Sequence, residues 1–185
     1  MITFGANYIS TANIKKYSPS KQYTDCAANI VQLMPESKRD FKAIREVAGL
    51  WRNADFARDI RDHFEGTRVA PRRDSNPKFY YALTKQKNDF ENLDSSSVLG
   101  IAEVTNNSEG NFRIDYIQVD PKYEYNEERK SASKYKSIGS AMMKTFEKIL
   151  DFRKITVTPV FSACEFYEKL GYKVDIANLD MYLKK

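Results

Sequence analysis

Two short stretches of this chain combine residue types at spacings that suit chemistry. The first is Lys134-Tyr135-Lys136-Ser137-Ile138-Gly139-Ser140, directly ahead of an amphipathic run. The first turn of a helix leaves backbone N–H groups unpaired and carries roughly half a positive charge. A diphosphate satisfies both. The amides of Ser137, Ile138, Gly139 and Ser140 would point at it, and Lys134 and Lys136 would add charge. Taken alone, the same segment is also an ordinary loop before a helix. The second stretch is Ser162-Ala163-Cys164-Glu165-Phe166-Tyr167-Glu168-Lys169-Leu170-Gly171-Tyr172, which sets the phenol of Tyr167 where it can serve as an acid.

The elements that must position these residues follow from periodicity. Residues 1–27 are polar and aromatic and are expected as an N-terminal extension packed on a single domain spanning 28–185. Ala28–Met34 reads as a short strand that Pro35 ends, and Ser37 caps a helix with Asp40 three residues on. Phe41, Ile44, Ala48 and Trp51 recur at helical spacing, as do Phe56, Ile60 and Phe64 in a second helix expected to stop at Gly66. Strands are predicted at 79–84, 98–105 and 112–120, the last apolar on both sides and therefore central. Residues 122–134 are charged and without apolar periodicity, so they read as a loop. A helix follows over 138–150, a strand over 155–160, a helix over 163–170 that Gly171 terminates, and strands over 172–176 and 179–183. Three consecutive strands imply antiparallel pairing, and the strand-helix-strand unit at 112–160 implies one parallel step. The expected fold class is α/β, more narrowly α+β: a mixed, mostly antiparallel sheet of six to seven strands with helices on both faces.

Composition bounds the classes. The chain has 185 residues, enough for one domain with a full core. Its net charge of +5 allows an anionic partner without demanding one, because acidic and basic residues are interspersed. The only cysteines are Cys26 and Cys164 and the only histidine is His63, so no metal is expected. His63 reads as a helix-surface residue and Cys164 as a small buried one. No N-terminal leader pattern and no apolar run of membrane-spanning length is seen, and a cytoplasmic protein with reduced thiols is expected.

The strand order and residues 134–172 resemble the GNAT N-acetyltransferase superfamily over roughly 28–183. The family's phosphate loop runs Gln/Arg-x-x-Gly-x-Gly/Ala; Lys134, Ser137 and Gly139 stand at its marked positions. Its later signature, Asn-x-x-Ala-x-x-Phe-Tyr-x-Lys-x-Gly-Phe, is met by Ala163, Phe166, Tyr167, Lys169, Gly171 and Tyr172, with Val160 in place of the asparagine. Ser137 replaces a glycine, which a helical φ would tolerate. The 121–134 connection is longer than the family's.

The resemblance implies acetyl-CoA as cosubstrate and direct attack of an amine on its thioester. The pantetheine arm would lie along Tyr116–Val119 and pair with main-chain groups of Ile117 and Val119, as an added strand does. Lys134, Tyr135, Lys136, Ser137, Ile138, Gly139 and Ser140 would hold the pyrophosphate. The same strand edge would offer an N–H to the oxyanion, and Tyr167 would protonate the departing thiolate. A lysine-type amine, with a reference pKa near 10.4, must lose a proton before attack. Glu103 and Asp115 are the candidate bases, with Glu124, Glu127 and Glu128 weaker ones. The acceptor is a small amine, a protein amine or an aminoacyl-tRNA, the last because Arg68, Arg72 and Arg73 would suit phosphate. The alternatives are a non-catalytic acyl-CoA-binding or regulatory domain of the same fold, and a nucleic-acid-binding module.

Overall fold

The computed structural model describes residues 5–51, 54–69, 76–108, 110–124 and 132–185. Among them nine strands form one sheet: β1 (Asn7–Tyr17), β2 (Tyr23–Leu33), β3 (Lys78–Thr84), β4 (Val98–Ser108), β5 (Asn111–Val119), β6 (Tyr135–Lys136), β7 (Lys154–Val157), β8 (Lys173–Asp175) and β9 (Asp180–Lys184). Their spatial order is β6-β1-β2-β3-β4-β5-β7-β9-β8. Every neighbouring pair is antiparallel except β5 and β7. The helices are α1 (Lys38–Leu50), α2 (Asp55–Val69), α3 (Ile138–Ile149) and α4 (Cys164–Lys169). The sheet is therefore mixed and mostly antiparallel, as expected.

Each face of the sheet carries its own core. Ile44, Val47, Ile60 and Phe64 of α1 and α2 bury against Val31, Tyr80, Ala82 and Ile101. Ala141, Met142 and Phe146 of α3, with Tyr167 of α4, bury on the opposite face against Ile30, Tyr81, Leu83 and Ala102. Strand alternation sends Tyr80 and Ala82 to one core and Tyr81 and Leu83 to the other, so β3 is buried on both sides. Gly100 on β4 admits α3 at close range: a Cβ there would meet Met142 Sδ at 2.6 Å.

Two strands exceed the expected count. The boundary drawn at 27/28 falls inside β2, and residues 7–27 belong to the sheet rather than packing on it. β1 pairs with β2 from Asn7↔Gln32 to Tyr17↔Tyr23, with a register shift between Tyr8 and Ser10. Its inward positions, Ala12 and Ile14, are few among polar residues, which hides the alternation in sequence. The other addition, β6, is only two residues long and pairs with β1. α2 runs through Gly66 to Val69, because a glycine with no positive φ interrupts nothing. Ser37 caps α1 by accepting from the Asp40 amide, at 3.2 Å. The Asp40 carboxylate, fully buried, accepts from the amides of Ala6 and Met34 at 3.0 and 2.8 Å, fastening the approach to β1 to the end of β2.

Candidate functional site

β5 and β7 pair in parallel only from Asn111↔Lys154 to Ile114↔Val157. Two local features part them there. Asp115 is the extra residue of a bulge, since Glu103 pairs with Tyr116 while Val104 pairs with Ile114. Beyond β7 stands Pro159, which has no N–H to continue a ladder. Residues 116–119 thus keep β4 on one side and lack β7 on the other.

A cleft of about 1030 Å³ opens at this split. Its walls come from both faces of the sheet. Asp55 and Phe56 at the start of α2 line one end, and Ser137, Ile138, Gly139 and Ser140 at the start of α3 line the other. Ile114–Val119 form the floor, and Val160, Ala163, Phe166 and Tyr167 complete the wall opposite. Volume at the upper end of the usual ligand range, with a few polar groups among aromatic and aliphatic ones, suits an extended ligand.

Ser137 is the N-cap of α3 and makes no side-chain cap bond. The first-turn amides of Ile138, Gly139 and Ser140 therefore have no capping side chain. Ser137 lies at φ 61°, ψ 22°, in the left-handed region. This corrects the expected helical φ: the chain puts a serine where a glycine would be unstrained. Lys136 also lines the cleft, its Nζ 4.4 Å from the centroid of the Tyr23 ring. Lys134 and Tyr135 are not among the lining residues. Tyr135 is buried, edge-on to Tyr123 with ring centroids 5.2 Å apart, because β6 pairing turns it into the core. The Lys134 Nζ sits 5.7 Å from the Tyr135 ring, and its carbonyl accepts from the Tyr17 amide. β6 thus ties the loop ahead of α3 to β1.

Tyr167 lines the cleft although only 6% of its surface is exposed. Its ring is edge-on to Phe166 and to Tyr172, and its hydroxyl has no hydrogen-bond partner among the described residues. Burial pushes the phenol up to about 12, so it is protonated throughout the neutral range. Gly171, at φ 90°, ends the segment and turns Tyr172 inward.

The two proposed carboxylates separate. Asp115 faces the cleft, accepts from the Thr105 hydroxyl, and lies 3.4 Å from Arg113 Nε. Glu103 lies fully buried beneath α2, outside the cleft lining, bonded to His63 Nδ1 at 2.9 Å and to Lys78 Nζ. Strand alternation decides this, since Glu103 shares the face of Ile101. His63 is accordingly no plain surface residue: it holds a buried carboxylate and packs on Tyr116, with ring centroids 5.4 Å apart. Cys164 is half-buried rather than buried. Glu124 lines the cleft and accepts from Gln118 Nε2, whereas Glu127, Glu128, Arg72 and Arg73 lie outside the described residues. Arg68 stacks on Phe41, with its guanidinium carbon 4.9 Å from the ring centroid, and does not reach the cleft. Asp55 and Phe56 were missed by sequence reasoning; no motif marks them.

No protein-family model matches the chain, and no curated protein matches it in sequence. Solved structures of the GNAT class are similar in shape. A GNAT-family acetyltransferase from Bacillus cereus is 15% identical, with 85% of this chain and 97% of that one covered and a TM-score of 0.49. Ard1 from Thermoplasma volcanium is 17% identical over the same shares, with a TM-score of 0.49. A GNAT-family acetyltransferase from Staphylococcus aureus is 15% identical, with 85% and 98% covered and a TM-score of 0.47. Residue roles do not transfer at this level of likeness.

Proposed function

We propose that the chain is an acetyl-CoA-dependent N-acetyltransferase acting on a primary amine. The observation that carries the reading is the split between β5 and β7, with uncapped helix amides at one end and a neutral, unpartnered phenol in its wall. The residues present fit the cofactor. The amides of Ile138, Gly139 and Ser140, with Lys136, hold a diphosphate. The free edge of β5 at Ile117 and Val119 pairs with the amide groups of an extended arm and supplies an N–H to the oxyanion. Bound there, the cofactor supplies an activated acyl group on a thiol leaving group.

Asp115 draws the cationic amine and takes one proton from it before attack, which frees the nitrogen lone pair. Having passed that proton to solvent, it takes the second, directly or through water, after the carbon–nitrogen bond has formed. Tyr167 donates to the sulfur as the carbon–sulfur bond breaks. Full transfer from a phenol near 12 to a thiolate near 8.5 is uphill by about 3.5 pKa units, or roughly 5 kcal/mol. Tyr167 therefore acts by a strong hydrogen bond as charge develops, with its proton passing over only as the intermediate collapses.

The charge of the cleft supports a positively charged acceptor, a small amine or a protein amine. Asp55, Asp115 and Glu124 line it, against Lys136 at the phosphate end. An aminoacyl-tRNA has less support, because Arg68 lies elsewhere. Calorimetric titration with acetyl-CoA, followed by thiol release with a panel of amines, tests the proposal. Binding with release supports an enzyme; binding without release from any amine leaves the non-catalytic acyl-CoA-binding domain; no binding ends both.

A further inference from the structure

Behind Tyr167 the protein buries polar atoms that the proposed chemistry does not use. The Tyr172 hydroxyl and Glu147 Oε1 are both buried with no hydrogen-bond partner among the described residues. Tyr172 lies edge-on to Tyr167, ring centroids 5.7 Å apart, and is 3% exposed. Glu147 projects from α3 and is only half-buried, so it links this interior point to solvent. Its charge and that of Tyr167, after burial itself, are among the causes that push the Tyr172 phenol up. Glu147 is pushed up too, chiefly by burial. Lys144, one turn earlier on α3, is the cation acting on it. A buried hydroxyl left unpaired costs its full desolvation, and a phenylalanine would fill the same space without that cost. Buried polar atoms of this kind are the ones ordered water satisfies.

We propose that Glu147 and Tyr172 form a proton path that reprotonates Tyr167 from the α3 surface. The inference rests on the acid role of Tyr167. As the carbon–sulfur bond breaks, the Tyr167 O–H bond breaks and an S–H bond forms. Tyr167 oxygen then takes a proton from the Tyr172 hydroxyl, which takes one through water from Glu147, which takes one from solvent. The amine sheds two protons through Asp115, one before attack and one after the carbon–nitrogen bond forms, against the one taken up through Glu147, so the cycle balances with one proton released per turnover. The hops are concerted, because a discrete phenolate at Tyr172 is disfavoured by its burial. Tyr172 and Glu147 are positioning residues, acting through Tyr167.

Thiol release from acetyl-CoA with the best amine of the panel is the readout. Tyr172→Phe is expected to lower kcat by about 3- to 10-fold, below the usual range for removing an acid outright. Acetyl-CoA affinity should be unchanged and the melting temperature unchanged or higher. Glu147→Gln should give a drop of similar size. In a Tyr167→Phe background neither change should slow the reaction further. Wild-type kcat in Tyr172→Phe, or the same fold loss in both backgrounds, would overturn the path while leaving the enzyme reading intact. A wild-type chain that releases no thiol overturns the enzyme reading, and the path with it.

Discussion

Ile114 is the last residue of β5 to pair with β7, opposite Val157, and at the next residue, Asp115, a bulge turns β5 away. The same residue thus opens the cleft and places a carboxylate in it. A bulge costs a ladder bond, and here it exposes a strand edge inside a groove flanked by helix termini, an edge of the kind an added strand can complete.

Replacing Tyr167 with phenylalanine should lower kcat by about 10- to 100-fold and leave acetyl-CoA affinity within about twofold, since the ring contacts with Phe166 and Tyr172 persist. The pH profile of the wild type adds a second check. With the phenol near 12, no falling limb from Tyr167 should appear below about pH 10. A limb near neutrality that vanishes in Tyr167→Phe would contradict this.

Asp115 and Glu103 should behave differently. Asp115→Asn is expected to raise KM for the amine and lower kcat, with little loss of stability, because the carboxylate is partly exposed. Glu103→Gln should cost on the order of 3 kcal/mol in chemical denaturation, since it leaves Lys78 and His63 without their buried partner. It should not change the acceptor KM selectively. The reverse pattern would move the base to Glu103.

Ser137→Gly should stabilise the chain. Relief of a left-handed non-glycine residue is worth roughly 1–2 kcal/mol, less the greater chain entropy glycine loses on folding, leaving about 0.5–1 kcal/mol. In a chain of this length that is a rise of about 1–4 °C in melting temperature. Ser137→Ala keeps the Cβ and should show none of the gain.

Asp40 predicts a stability change with pH. Burial raises its carboxyl from 3.8 to about 6, despite the amide bonds from Met34 and Ala6 that pull it down. A carboxyl raised on folding binds more protons folded than unfolded, so its contribution is fully present below about pH 4. It is lost as pH rises through about 6, by up to about 3 kcal/mol at 1.36 kcal/mol per unit. Denaturation midpoints of the wild type and Asp40→Asn at pH 4 and pH 6.5 should differ in their pH slope by that step. Parallel slopes would show that the two amide bonds hold Asp40 at its ordinary value.

Much of the fold was legible because apolar spacing in α1, α2, α3 and the central strands reports which face is buried. The Ser37 cap and the Gly171 stop were legible because they are local chemistry. β1 was not, since an amphipathic strand near a sheet edge needs few apolar residues, and its partner β6 is two residues long. Asp55 and Phe56 were not, since they reach the cleft only through the packing of α2 on β5, where the Phe56 ring meets Tyr116.

Sequence alone determined the start of α3 after Ser137, the order of the elements from β2 onward apart from the two-residue β6, and the placing of Tyr167 one helical segment after β7. These are set by neighbouring residues and survive any tertiary arrangement. Tertiary structure decided which carboxylate faces the cleft, which lysine lines it, and that Ser137 adopts a positive φ. Strand register, a single-residue bulge and the docking of α2 and α3 on opposite faces fix those, and each depends on contacts between residues far apart in the chain.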